Sequence, residues 1–126
     1  MTYLTQQEIF DKVAVHLLTQ NDKSVDGATC LYHGPFGLTC AVGCLIPKEV
    51  DTTGYNSQPI SHIPANVCDL MRVDLTQTGI KRLLEDLQRI HDMHDVESWY
   101  QRLTATAASW LLSRDALYTF HPEVTK

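Results

Sequence analysis

The chain has no run of lysine or arginine, no long apolar stretch, no glycine-rich phosphate loop and no C-x2-C knuckle. Each absence removes a class of function. Non-specific nucleic-acid binding depends on clustered basic side chains that neutralise phosphates, whereas here 10 lysines and arginines face 15 acidic residues, spread without blocks of one sign. The resulting charge of -5 is also too mild for a DNA mimic. No segment approaches the roughly 20 apolar residues of a membrane span. Residues 1–10 carry neither the basic start nor the apolar run of a secretory signal, so a cytoplasmic protein is expected. Without a P-loop, G-x-G-x-x-G or H-E-x-x-H, nucleotide binding and zincin chemistry have no motif behind them.

What is present fits one globular domain over residues 1–126, with 44% hydrophobic and 20% charged residues. A chain of this length buries about two-thirds of its unfolded surface, so it can fold without a metal or a disulfide. In a reducing cytosol its 4 cysteines are expected as free or metal-bound thiols.

Thr5 and Glu8 have the spacing of a capping box, and Ile9, Phe10, Val13, Ala14, Leu17 and Leu18 recur at helical spacing behind it, so a first helix is expected to end near residues 20–22. A polar connector containing Gly27 follows. Cys30 to His33 suit a short strand, residues 34–37 a turn, and Leu38 and Thr39 the return strand, giving a small β-hairpin. Residues 40–46 are small and apolar and are expected as one or two buried helical turns stopped by Pro47. Residues 48–62 read as a loop, with Tyr55 as an exposed aromatic. Pro64 is placed to open a short helix that buries Val67, Cys68 and Met71. Two stronger stripes complete the chain: Ile80, Leu83, Leu84, Leu87, Ile90 and His94, then Val96, Trp99, Tyr100, Leu103, Ala107, Trp110 and Leu111, with Asp95 as a cap. Trp99, Tyr100 and Trp110 are read as core. Residues 115–126 carry anchors at Leu117, Tyr118 and Phe120 before a polar end broken by Pro122. The expected fold is mainly α with a small β part: four to five helices and one hairpin.

Two clusters carry candidate chemistry. Cys30, Cys40 and Cys44 form C-x9-C-x3-C, and a hairpin could converge their thiolates on zinc with His33, His62 or Cys68 as fourth ligand. The competing reading is buried structural thiols among apolar neighbours. His91, Asp92 and His94 form the second cluster, able to face one ion from a helix or simply to make a helix end and the next cap. With His16 as an earlier histidine, an HD-type phosphohydrolase can be drawn on it. Cys40 at a helix start, with His33 across the turn, is the candidate nucleophile and base.

The run from Cys30 to Pro47, CLYHGPFGLTCAVGCLIP, resembles the hallmark of a group of small bacteriophage and bacterial proteins. Those proteins open with a helix like residues 6–18, carry G-x-x-C-A-V-G-C-L-I-P, and end a leucine-rich helix with L-Q-x-x-H-D, here Leu87-Gln88-Arg89-Ile90-His91-Asp92. The resemblance runs from Gln6 to about Trp99. It departs at Lys48, which stands before Glu49 where the relatives have acidic residues. It brings no activity with it. It implies a phage-type accessory protein in the host cytoplasm that binds another macromolecule, such as a host enzyme or a defence component, and is not an enzyme. No cofactor is then required, although zinc is the metal that the cysteines would take. The contact surface is expected at the hairpin tip and the 51–58 loop, through His33, Pro35, Phe36 and Tyr55, with a protein as partner and neither membrane nor nucleic acid. The alternatives are a small metal- or thiol-dependent enzyme on either cluster, and a structural zinc module.

Overall fold

A computed structural model describes residues 2–26 and 29–120, so the connector's Gly27 and the polar end at Pro122 lie outside the described residues. The fold is mainly α. In chain order the elements are α1 (Gln6–Gln20), β1 (Val25–Asp26), β2 (Thr29–Cys30), α2 (Ala65–Met71), α3 (Thr78–Met93) and α4 (Trp99–Ser109), with short 3-10 turns between β2 and α2, between α3 and α4 and after α4.

The first helix starts as its sequence dictates. Thr5 Oγ1 accepts from Glu8 N–H at 3.1 Å, and Glu8 Oε1 accepts from Thr5 N–H at 2.9 Å, so two amides left over at the helix start are paired reciprocally. Asn21 ends the helix in the left-handed conformation. α1, α3 and α4 pack against one another. Ile9, Phe10, Val13 and Leu17 meet Leu83, Leu84, Leu87, Trp99 and Leu103 in one buried core. Among the described residues no helix is long and apolar enough to cross a membrane.

Four expectations need correction. The hairpin expected across residues 30–39 is reduced to a single antiparallel bridge between His33 and Thr39. The paired ladder lies one step earlier, Val25 with Cys30 and Asp26 with Thr29, its first strand in the stretch read as a polar connector. The reason is that the next pair of backbone groups is claimed elsewhere: Tyr32 N–H donates to Asn56 Oδ1 at 2.9 Å and Cys40 O accepts from Cys44 N–H at 3.1 Å. Tyr55 is buried, only 8% exposed, with its ring 5.8 Å from that of Tyr32. The 48–62 loop is pinned onto the segment before it, Asn56 Oδ1 accepting from Tyr32 N–H at 2.9 Å and Gln58 O accepting from Tyr32 O–H at 2.6 Å. On α3 the buried histidine is His91 and not His94, because the helix ends at Met93 and His94 is extended. Finally, α4 stops at Ser109 in a Schellman-type closure, Leu112 N–H to Ala107 O at 2.8 Å. That closure puts Leu111 at φ 56° and throws its side chain, 94% exposed, into solvent.

Beyond these four, Tyr118, expected as an anchor, is exposed, and Asp95 makes no side-chain cap, standing before a 3-10 turn at Val96–Ser98 ahead of α4. The segment after Thr39 is buried at Cys40, Ala41, Val42, Gly43 and Ile46 and forms a 3-10 turn at Gly43–Leu45. Gly43 sits so close to the preceding segment that a Cβ there would lie 1.9 Å from Tyr32 O. Pro64 caps α2, whose buried residues are Val67, Cys68 and Met71.

Candidate functional site

Two places carry unusual geometry. The first is the loop tip at residues 34–37. Gly34 N–H donates to Leu38 O at 2.8 Å and Leu38 N–H to Pro35 O at 3.1 Å, closing a tight turn. Ser24 Oγ braces the turn from below by donating to Leu38 O at 3.3 Å, and it lies so near Gly34 that a Cβ there would meet it at 2.3 Å. His16 Nε2 lies 2.8 Å from Thr39 Oγ1, adding a contact from α1 at the base. On this braced turn Phe36 takes φ 60° and stands 99% exposed. A phenylalanine in the left-handed region costs about 1–2 kcal/mol, and its ring gains nothing from solvent.

Of the four residues expected to make the contact surface, Pro35 and Phe36 are exposed at the tip. His33 is half-buried, its Nε2–H donating to Ile46 O at 3.1 Å. Tyr55, as stated above, is turned inward.

The second place joins the two sequence clusters by one half of each. Cys30, His91 and Asp92 hold a thiol sulfur, an imidazole nitrogen and a carboxylate oxygen all within 4.8 Å of one another, and they are the one such group of metal-ligand types among the described residues. Asp92 is its hub. Its Oδ1 accepts from Gln88 Nε2–H at 2.9 Å and from His91 Nδ1–H at 2.8 Å. His91 is fully buried, and its Nε2 accepts from Ser24 N–H at 2.9 Å, which fixes the ring proton on Nδ1. Gln88 in turn accepts from Val42 N–H through Oε1 at 2.9 Å, tying α3 to the turn after Thr39. Cys30 and Asp92 help line a cavity of about 580 Å³ between α3 and the 57–60 segment.

Cys40, Cys44 and His33 do not join this group. Gly43 N–H donates to Cys40 Sγ at 3.3 Å, Cys44 S–H donates to Ala41 O at 3.1 Å, and His33 is held by Ile46. Burial pushes the Cys40 and Cys44 thiols up to about 12. Burial, then the charge of Asp92, pushes Cys30 up to about 11. All three are thiols at neutral pH. His94 ends α3 outside the cluster, so the His91, Asp92 and His94 set is broken at its third member. The partnership of Cys30 with Asp92 spans the chain and has no local signal; the nearest hint is that both fall in segments rich in polar or sulfur ligands.

No protein-family model, curated protein or solved structure matches the chain.

Proposed function

We propose that the protein is a non-enzymatic binding module that acts by seating Phe36 in an apolar pocket of another protein. The observation that carries this reading is a fully exposed phenylalanine in a left-handed conformation on a turn braced from α1 and Ser24. Such a residue costs stability in the free protein, and its backbone is already set by the turn, so little backbone ordering entropy remains to be lost on contact. Aromatic anchors of this kind carry most of the energy of many interfaces. Between Asp26 and Lys48 the chain has no acidic residue, lysine or arginine, so the tip offers nothing to phosphates or anionic lipid headgroups and suits an uncharged, apolar partner surface. The resemblance to phage and bacterial proteins makes a host protein, such as an enzyme or defence component, the partner class. A thiol-enzyme reading has less support, because the thiols are raised and His91 Nε2 is already occupied by Ser24.

The test compares Phe36→Ala and Phe36→Gly with the parent chain, using a photo-crosslinker at position 35 to identify the partner and purified proteins to measure affinity. Both substitutions are expected to weaken binding at least tenfold, with affinity nearly independent of salt. Phe36→Gly should also melt no lower than the parent, because glycine accepts this φ without strain. Binding that survives both substitutions would refute the reading.

A further inference from the structure

The Cys30, Asp92 and His91 cluster has a division of labour set by its hydrogen bonds. Moving the His91 proton off Nδ1 would put an N–H at Nε2, opposite the amide of Ser24. Ser24 is fully buried, so that amide would be left unpaired. His91 therefore stays a donor to Asp92 Oδ1, and that oxygen already takes Gln88 as well. The ligand groups that the two cavity-lining residues can present to an ion are the Asp92 carboxylate and Cys30 Sγ, which in the free protein share a hydrogen bond.

We propose that Cys30 and Asp92 bind a thiophilic divalent cation of the zinc class at the cavity wall, with His91 as the outer donor that orients the carboxylate. The pairing of one thiolate and one carboxylate oxygen suits such an ion, and a ligating carboxylate is commonly held by a further hydrogen-bond donor. The cavity leaves room for water to complete the coordination. On binding, the S–H bond of Cys30 breaks and its proton goes to solvent, bonds form from the ion to the Cys30 sulfur and an Asp92 oxygen, and two waters leave the ion. The ion replaces the thiol proton beside Asp92, so the charge that opposes thiolate formation in the free protein is offset once the metal arrives. This site is separate from the Phe36 tip and stands or falls without it.

Titration of the reduced full-length chain with Co²⁺, followed by thiolate-to-cobalt charge-transfer absorption, tests it. One ion per chain, one proton released per ion and affinity rising about tenfold per pH unit below the thiol's titration are expected. Cys30→Ser should abolish the band and Asp92→Asn should weaken binding at least tenfold, while Cys44→Ser leaves both unchanged. Independently of the variants' stability, protection of Cys30 from alkylation by Zn²⁺ in the parent chain, mapped by mass spectrometry, gives a second readout. Absence of the band at millimolar Co²⁺, a band that survives Cys30→Ser, or no protection by Zn²⁺ would overturn the proposal.

Discussion

At the scale of single residues, Tyr55 shows how far a side chain can depart from the character of its segment. Its loop is polar and without periodicity, and nothing in residues 48–62 marks the ring as buried. What buries it is the ring of Tyr32, brought there by bonds from Asn56 and Gln58. Among the described residues its hydroxyl is a buried polar atom with no hydrogen-bond partner. An unpaired buried hydroxyl costs about 1–3 kcal/mol, and removing it with its shape preserved leaves stability unchanged or raises it. Tyr55→Phe is therefore expected to unfold at the same or a higher urea concentration, by up to about 1 kcal/mol; a clear drop in the midpoint would mean that the hydroxyl has a partner. Phe36 is the opposite case, an apolar ring whose exposure no composition argument could give, because the left-handed backbone that aims it outward is set by the bracing below it.

At the scale of elements, the segment from Cys40 to Ile46 depends on one glycine. The sequence reads as small and apolar, which is enough to predict burial and a helical turn. It does not reveal that the backbone of Tyr32 crosses directly over Gly43, where a Cβ would fall 1.9 Å from the carbonyl oxygen. The neighbour is backbone and cannot swing aside, so Gly43→Ala must push two segments apart. The expected cost is about 3 kcal/mol or more, beyond the usual range for one added methyl group, and thermal melts of that variant against Ala41→Gly would separate crowding from backbone entropy. Helix α3 teaches a related lesson. His91 and His94 both continue its apolar stripe by spacing, and the choice between them was made by where the helix ends, which follows from the turn to Val96 and from Trp99 Nε1 donating to His94 O at 3.1 Å.

At the scale of the whole molecule, α1, the loop base and α3 are coupled through histidine. Burial lowers the pKa of His16, while its bond to Thr39 O acts in the opposite sense. The unfolded side chain titrates near about 6.5, so below that pH the unfolded chain holds more protons than the folded one. Stability is then complete above about pH 7 and falls as pH drops through about 6.5. His16→Gln is expected to reduce the loss of melting temperature between about pH 7.5 and pH 5.5; an undiminished loss would place the sensitive group elsewhere. The carboxylates with lowered values, Glu8, Asp51 and Asp74, are exposed and act only near and below the ordinary carboxylate range, outside this window.

The sequence by itself determined the helical class, the capped start of α1, the apolar faces of α1, α3 and α4, and the proline-led start of α2. These rest on periodicity and capping, which act over three or four residues and are written locally. Only the tertiary structure decided that the hairpin would shrink to a bridge, that Tyr55 would turn inward, and that Cys30 would leave its neighbouring cysteines for Asp92 and His91. Those outcomes depend on which backbone groups are claimed by side chains far along the chain, Asn56 for Tyr32, Gln88 for Val42 and His91 for Ser24. A buried amide must find a partner, but nothing near it in the chain says which one.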